Sequence, residues 1–288
     1  MLLHILKLNN MNYKHIIMLL FTGLWSVNIF AQPIETIKAQ NDLYFVGDRT
    51  YSCFYITNDG VIVIDPLDST HAAATMKAIK KVTNKPVKYV FYSHNHWDHI
   101  SGGKIFKDQG AKIISHIKAK ENITPNPKVL TPDSTWNGAN TTFTYGGKTI
   151  ELFYYGKNHG EGMTVFRFPE YNAIFIIDLV VPDRVLYAYL PDASPKNWVA
   201  HLKEIQKLEF DKVYMAHVRA IGTRDDVTLM QNYFDDLYEA VDKALKSDTP
   251  FFEIPTTVKM PQYKDLMNYE EWLPMNVWRI MMEKAIGK

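Results

Sequence analysis

The segment at residues 93–103 constrains this chain most, because it places three imidazoles and a carboxylate within six residues. The four donors are His94, His96, Asp98 and His99. Imidazole and carboxylate groups suit zinc, iron or manganese. The apolar run at residues 88–92 comes immediately before them, so we expect the donors at the end of a buried strand, where α/β proteins place their chemistry. The pattern predicts a metalloenzyme, in preference to a polar surface loop that happens to be rich in histidine.

The N-terminal segment, residues 1–31, is interpreted as a signal peptide that is removed on export. Lys14 and His15 precede an apolar run at residues 16–30, and Ala31 is a small residue at a plausible cleavage point. The alternative is an uncleaved anchor, because the run is only a little shorter than a bilayer span. The predicted location is periplasmic or secreted, with no stable membrane insertion after cleavage. The sequence leaves open whether translation starts at Met1 or Met11.

Residues 32–288 are predicted to form one large domain or two closely packed halves, since 47% hydrophobic content supports a full core. Loss of residues 1–31 removes two lysines and no acid, which takes the formal charge from +1 to about −1. A nearly neutral protein lacks the basic surface that binds nucleic acid, so we expect no nucleic-acid partner. Cys53 is the only cysteine and is predicted to be a small buried hydrophobic residue.

Hydrophobic patterning predicts two series of elements, each beginning with strands and ending with helix. Strands are expected at residues 42–46, 51–56, 61–64, 88–92, 111–115, 149–155, 163–168, 173–177 and 213–216. Helices are expected at residues 71–82 and 100–106, after Ser194-Pro195, after a Thr223/Asp226 capping box, and in the tail from 261 to 288. Residues 120–147, rich in Pro, Asn, Thr and Gly, are predicted to be a long loop or flap. The two series favour two packed sheets flanked by helices over a doubly wound sheet.

The four clustered donors cannot all reach one ion. His94 and His96 lie two residues apart and can face the same way, whereas Asp98 and His99 follow a bend and should point to a second position. A two-metal site needs further donors, and three candidates each follow strand-like sequence. They are His159, Asp178 and His217.

The order of Asp65 after an apolar strand, the donor cluster at residues 94–99, and then His159, Asp178 and His217 resembles the metallo-β-lactamase superfamily. The resemblance extends over about residues 42–224. It implies the α+β class, an αββα four-layer sandwich of two mixed β-sheets flanked by helices. It also implies two divalent metal ions as cofactors, expected to be zinc, with iron or manganese as alternatives.

Carried onto this sequence, the resemblance assigns His94, His96 and His159 to one metal, Asp98, His99 and His217 to the second, and Asp178 as a bridge between them. Asp65 and Ser93 would support the ligand loop from behind. The best-known β-lactamases carry Cys or Ser in place of Asp178, which favours a more general hydrolase. Val218 stands where glycine is common in relatives. Glutamate replaces His96 in the oxygen-reducing diiron branch, so a redox role is disfavoured.

The predicted function is hydrolysis of a small-molecule ester, thioester or lactone. Two ions sharing a water would lower its pKa from ~15.7 towards neutrality and supply a hydroxide nucleophile. Asp98 would also act catalytically by orienting the attacking water. Hydrolysis of β-lactam antibiotics is the alternative, and a non-catalytic metal-binding protein is the second alternative. The oligomeric state is left open.

Other residues receive weaker assignments. Aromatic walls of the substrate pocket are expected from Trp97, Trp136, Tyr187 and Tyr189. Arg184 is interpreted as a solvated surface residue in preference to an anchor for a substrate carboxylate. Three further histidines, His71, His116 and His201, are predicted not to bind metal.

Overall fold

A computed structural model describes residues 33–287 of the chain. The predicted signal peptide at residues 1–31 lies outside the described residues. Among the helices of the described range, none has both the length and the apolar character required to cross a membrane.

The first sheet begins the described chain and contains seven strands in sequence order. They are β1 (Glu35–Lys38), β2 (Leu43–Gly47), β3 (Tyr51–Ile56), β4 (Val61–Ile64), β5 (Val87–Tyr92), β6 (Lys112–His116) and β7 (Ser134–Trp136). Strands β1 to β4 pair antiparallel, and β4 to β7 pair parallel. The parallel strands end at one edge of the sheet, so β4 and β5 deliver Asp65 and the 93–99 segment to the same place.

The second sheet has six strands. They are β8 (Asn140–Tyr145), β9 (Lys148–Tyr154), β10 (Thr164–Phe168), β11 (Ala173–Phe175), β12 (Lys212–Tyr214) and β13 (Ile221–Thr223), and they lie in the order β13-β12-β11-β10-β9-β8. Only β11 and β12 are parallel neighbours, so this sheet is mixed as well. The parallel pair places the residues after β11 and β12 at a common edge.

Eight α-helices occur in the described range. They are α1 (Ser69–Val82), α2 (Trp97–Ile100), α3 (Lys104–Lys107), α4 (Ile117–Asn122), α5 (Pro195–Ile205), α6 (Arg224–Leu245), α7 (Ile254–Thr257) and α8 (Tyr269–Ile286). Alternate residues of the first sheet face different cores: Phe54 packs with α1, whereas Cys53 and Tyr55 pack between the sheets. Helices α5, α6 and α8 join the core on the side of the second sheet. The predicted αββα sandwich of two mixed sheets is confirmed.

The predicted flap at residues 120–147 is wrong, because β7 and β8 lie within it. Tyr145 pairs with Lys148 across a two-residue turn in which Gly146 and Gly147 have φ of 54° and 74°. Such a turn matches the twist of a hairpin and requires positive φ at both positions. The Thr and Asn content suggested a loop, but the alternating exposure of Asn140–Tyr145 is that of an edge strand.

Some of the predicted helix ends and caps agree with the structure and others do not. The Thr223/Asp226 capping box at the start of α6 is confirmed. Helix α5 begins at Pro195 as predicted, but Ser194 forms no side-chain cap. The helix predicted over residues 100–106 is replaced by α2 and α3 with a break between them, and α8 starts only at Tyr269.

Candidate metal centre

The segment after β5 is braced by a buried carboxylate at the end of β4. Asp65 accepts hydrogen bonds from the backbone N–H of Ser93 (2.7 Å) and from Ser93 Oγ (2.6 Å). Its second oxygen also lies 3.1 Å from Nδ1 of His99, so that Nε2 of His99 is turned towards the opposite side. This geometry agrees with the supporting role that the resemblance implied for Asp65 and Ser93.

Asp178 lies at the centre of the histidine cluster. It follows β11 through Ile177, whose φ of 45° is in the left-handed region that β-branched residues rarely adopt. The chain therefore turns sharply at this point and directs the carboxylate inward. Asp178 oxygens lie 3.1 Å from Nε2 of His217, 3.2 Å from Nε2 of His99 and His159, and 3.8 Å from Nε2 of His94.

Of the three groups of potential ligands in the described residues, two consist entirely of sequence-predicted donors, and the third joins Asp65 to His94 and His99. In each group the candidate ligand atoms lie within 4.8 Å of one another. The first group is His94, His96, His159 and Asp178, and the second is Asp98, His99 and His217. All seven residues that were singled out from the sequence therefore meet at the shared edge of the two sheets.

Unpaired buried atoms show that this donor set fits cations. Nε2 of His94 is buried and forms no hydrogen bond with the described residues, and Oδ1 of Asp178, also buried, faces Nε2 of His217 at 3.1 Å without hydrogen-bond geometry. Buried polar atoms without a partner are rare in folded proteins. Imidazole nitrogens and a carboxylate directed at one point are ligands for divalent transition metals, which would satisfy both atoms.

The electrostatics of the cluster favour the metal-binding forms of His94 and Asp178. Burial, reinforced by the nearby imidazoles of His96 and His99, holds the pKa of His94 well below its usual range. Burial acts to raise the pKa of Asp178, but the facing imidazoles of His217 and His99 outweigh it and hold that pKa well below its usual range. A neutral imidazole and an ionised carboxylate are the forms that bind metal.

Asp192 contacts the cluster and was missed in the sequence. Its carboxylate accepts a hydrogen bond of 2.7 Å from Nε2 of His96. Burial acts to lower the pKa of His96, but the bond to Asp192 outweighs it and raises that pKa. Asp192 follows Pro191 in a loop between β11 and α5, where no local pattern distinguishes it from a surface acid.

The histidines predicted not to bind metal lie outside these donor groups. His201 has a supporting position, because its Nδ1 lies 3.0 Å from Nδ2 of Asn158. Asn158 in turn accepts a hydrogen bond from the backbone N–H of His159 (2.6 Å). The ring of His116 packs against Trp136 and Tyr154.

A cavity of about 480 Å³ opens above the cluster. Its floor carries candidate metal ligands, including Asp98 and His159, and its walls are largely apolar. The apolar lining comes from Val181, Leu186, Tyr187, Leu190, Pro191, Ala193 and Trp198. Tyr187 is thus a wall residue, as predicted. Trp97, Trp136 and Tyr189 are not among the lining residues: Trp97 Nε1 donates to the carbonyl of Thr124, and Trp136 packs on His116.

Arg184 is a second departure from the sequence interpretation, which made it a solvated surface residue. Its guanidinium lies 5.2 Å from the ring centroid of Trp272 and lines the cavity. Nε of Arg184 is buried without a hydrogen-bond partner among the described residues. Burial lowers the pKa of the guanidinium from its ordinary value. The covering residue, Trp272, comes from α8, which is distant in sequence.

Comparison with known proteins places this architecture in a family. The sequence model of the metallo-β-lactamase superfamily matches residues 46–217, which is more than half of the chain. The chain therefore belongs to the metallo-β-lactamase superfamily, as the resemblance implied.

Relatives with known names differ in activity. The chain is 24% identical over 206 residues to the 2,4-dinitroanisole O-demethylase subunit alpha of Nocardioides sp. (strain JS1661), covering 70% of this chain and 61% of that protein. It is 27% identical over 168 residues to metallo-β-lactamase IND-1 of Chryseobacterium indologenes, covering 57% of this chain and 68% of that protein. The chain thus spans less than two thirds of the length of the first of these relatives.

Solved structures share the fold. A metallo-β-lactamase from Pontibacter korlensis superposes with a TM-score of 0.62 at 20% identity, over 71% of this chain and 100% of that one. The stereoselective inverting sec-alkylsulfatase Pisa1 from Pseudomonas sp. superposes with a TM-score of 0.72 at 15% identity, over 88% of this chain and 50% of that one. At these identities the likeness concerns the fold alone.

Proposed function

We propose that this protein is an exported dinuclear-metal hydrolase that cleaves a small ester, thioester or lactone. The observation that carries the proposal is the position of the Asp178 carboxylate, which lies against histidines of both donor groups. A carboxylate in that position can bridge two cations. A site for a single metal ion would not require a bridging carboxylate. Zinc is the proposed metal, with iron and manganese as alternatives that accept the same donors.

The proposed ligands divide between the two ions in the same way as they divide between the two donor groups. His94, His96 and His159 would hold one ion, Asp98, His99 and His217 the other, and Asp178 would contact both. When bound, two divalent ions supply a water that is acidic at neutral pH and polarise a substrate carbonyl. Thr50 Oγ1 lies 3.3 Å from Nδ1 of His217 and helps to orient that imidazole.

Asp98 is the proposed catalytic carboxylate. Its side chain is 64% exposed and lines the cavity, with Oδ2 3.6 Å from Nε2 of His99. An exposed carboxylate at the cavity floor can accept a proton from an attacking water and pass it to the leaving group. Asp178 is buried, so Asp98 is better placed of the two to exchange protons with solvent.

The cavity walls support a substrate with a carbonyl and an apolar body. Leu186, Leu190 and Trp198 are almost fully buried and present apolar surface to the cavity. Arg184 adds a positive charge to the same wall, which suits a substrate that also carries an acidic group. Hydrolysis of β-lactams is the second candidate, because a β-lactam is a small amide and IND-1, one of the relatives, is named a metallo-β-lactamase.

The test combines a metal assay with three chromogenic substrate classes: a lactone, a thioester and a cephalosporin. We expect two zinc ions per chain and turnover of the lactone or thioester that stops on chelation. Faster turnover of the cephalosporin would establish the second candidate. Two metals per chain without turnover of any substrate would favour a non-catalytic metal-binding protein.

Export requires its own measurement. Fractionation of the source cells, followed by N-terminal sequencing, should find the protein outside the cytoplasm with residues 1–31 removed. A cytoplasmic protein that retains these residues would contradict export without affecting the proposed chemistry.

A further inference from the structure

Arg184 is a cation in the wall of the cavity above the candidate metal centre. Among the described residues that line this cavity, it is the one lysine or arginine. Its side chain forms no ion pair and no hydrogen bond with any other described residue, and its Nε is buried. A guanidinium stays charged at neutral pH, so a half-buried one without acceptors costs free energy. The structure thus keeps this cation without an ion-pair partner in residues 33–287.

The neighbouring acids are engaged elsewhere. Asp98 and Asp192 line the cavity, but each lies against a histidine of the donor groups, at 3.6 Å and 2.7 Å. Asp183, the residue before Arg184, pairs with another arginine at 2.8 Å. Burial lowers the pKa of Arg184, and the attraction of Asp178 does not compensate for it. Both oxygens of Asp178 face imidazoles of the metal cluster, so its charge belongs to that cluster.

The contact with Trp272 fixes Arg184 without satisfying its donors. The guanidinium carbon lies 5.2 Å from the centroid of the Trp272 ring. An indole attracts a cation through its face, but it has no hydrogen-bond acceptor. Backbone hydrogen bonds hold the chain on both sides of Arg184: Met267 donates to the carbonyl of Asp183 (2.8 Å), and Val185 donates to that of Met267 (3.2 Å). The cation is therefore in place before a ligand binds, which lowers the ordering cost of binding.

A second arginine, Arg49, lies close to Arg184. Met267 contacts both residues: Nη2 of Arg49 lies 3.8 Å from its Sδ, and its backbone pairs with that of Arg184. The carbonyl of Arg49 accepts a hydrogen bond of 2.8 Å from the N–H of Val218, so the turn between β2 and β3 lies beside the cavity residue His217. Arg49 is exposed and forms no ion pair with the described residues, and a thioether is a weak acceptor. Two arginines without acidic partners thus lie at the same end of the cavity.

We propose that Arg184, assisted by Arg49, binds a carboxylate of the substrate while the substrate's ester group lies at the metal centre. The substrate class is then an ester, thioester or lactone that also carries a free carboxylate. One cavity of about 480 Å³ is lined both by Arg184 and by candidate metal ligands, so the two ends of such a molecule occupy a single space. A guanidinium matches a planar carboxylate through paired hydrogen bonds. This inference rests on the proposed function for the ester group, and on the two arginines for the acid.

The first experiment measures whether the enzyme prefers a charged substrate. We would compare two pairs of 4-nitrophenyl esters, one with the carboxylate in the acyl part (hydrogen adipate) and one with it on the phenol, each against its neutral methyl ester. In one of the pairs the free acid should have a kcat/KM about tenfold higher than the neutral ester, because hydrogen bonds between charged groups are strong. Spontaneous hydrolysis of each ester would be subtracted.

Three variants test the assignment of this preference. In Arg184→Gln the ratio of the two kcat/KM values should fall to about one, because the cation is lost. Arg184→Lys should keep part of the preference, since it keeps the charge without the paired donors. Arg49→Gln should lower the ratio by about threefold, a smaller effect because Arg49 is exposed. Because Arg49 lies on an exposed turn, this variant also keeps the proposal testable if Arg184→Gln does not fold.

The matched control is Arg167→Gln, which makes the same chemical change elsewhere. Arg167 lies on β10, pairs with Glu151 at 2.8 Å and does not line the cavity. This control should keep the wild-type ratio, and circular dichroism would compare the folding of all variants. Equal rates for the free acids and the neutral esters in the wild-type protein would overturn the proposal. An equal fall of the ratio in Arg167→Gln and Arg184→Gln would also overturn it.

The second experiment measures binding without hydrolysis. Calorimetry on the zinc-loaded protein would compare benzoate with benzamide, which have the same shape and differ in charge. Benzoate should bind more tightly, and Arg184→Gln should weaken its binding by about tenfold whereas Arg167→Gln should not. Since all three proteins hold the same metal, this difference separates contact with the arginine from contact with zinc. Benzenesulfonate binding more tightly than benzoate through Arg184 would overturn the assignment to a carboxylate in favour of a tetrahedral anion.

The two experiments together separate this inference from the proposed function. Benzoate binding that depends on Arg184, in a protein that hydrolyses none of the esters, would leave the carboxylate site standing and remove the proposed function. Equal hydrolysis of the free acids and the neutral esters, with equal binding of benzoate and benzamide, would do the reverse.

Discussion

The carboxylate of Asp192 lies 2.7 Å from Nε2 of His96, although 96 positions separate the two residues in the chain. A carboxylate only accepts hydrogen bonds, so the imidazole donates through Nε2 and leaves Nδ1 to face a metal. Asp192 thereby selects the tautomer of a candidate ligand from the loop that also forms the cavity wall. Asp192 therefore connects the cavity wall with the candidate ligand His96.

Replacing Asp192 with Asn should weaken zinc binding by about tenfold, because the amide is a poorer acceptor and no longer orients the ring. Competition with a chromophoric chelator would measure the affinity. Asp248→Asn, at an exposed acid distant from the cluster in sequence, is the control and should bind zinc like the parent protein. Equal affinities in all three proteins would show that His96 needs no such partner.

His96→Ala should abolish metal-dependent hydrolysis, since it removes one proposed ligand. The protein should still fold, because the His96 side chain is not part of the hydrophobic core. Zinc content should fall from about two ions per chain towards one, and circular dichroism should be unchanged. His71→Ala provides a control, because His71 pairs with Asp48 and Asp68 and belongs to neither donor group. Full activity in the His96 variant would refute the ligand assignment.

Removal of metal should lower the stability of the whole domain. A ligand present at a thousand times its Kd and bound only by the native state stabilises it by about 4 kcal/mol. Melting curves in the presence of zinc and in the presence of a strong chelator should therefore differ by several degrees. Magnesium, which prefers oxygen ligands, should not replace zinc in this respect. Coincident curves with and without zinc would contradict a metal site in the folded protein.

Gly162→Ala should destabilise the protein by about 2 kcal/mol or more. Gly162 has a φ of 74°, and an added Cβ would lie 2.2 Å from the backbone nitrogen of Ala119, which cannot move without displacing α4. Gly110→Ala separates the cost of a positive φ from the cost of the steric contact, because Gly110 has a φ of 90° but no atom within 4 Å of the added Cβ. It should cost only about 1 kcal/mol. Urea unfolding would measure both, and equal losses would show that the contact with Ala119 is unimportant.

Much of the fold could be predicted because its signals are local. Strands β3 and β4 have the predicted bounds, since each is a short apolar run with turn residues on either side. The donor types at residues 94–99, and their spacing of one or two positions, predict a metal site from local sequence alone. The hairpin of β8 and β9 was missed because its two glycines were interpreted as loop composition, although they form the turn itself.

The sequence by itself determined which residues can bind a metal and that strands deliver them, because side-chain chemistry and strand periodicity are properties of short segments. Only the tertiary structure decided that Asp192 orients His96 and that Arg184 is enclosed by Trp272. Each of these depends on a contact between residues far apart in the chain. Such contacts arise when apolar surfaces pack against each other, and a short sequence pattern carries no record of which surfaces will meet.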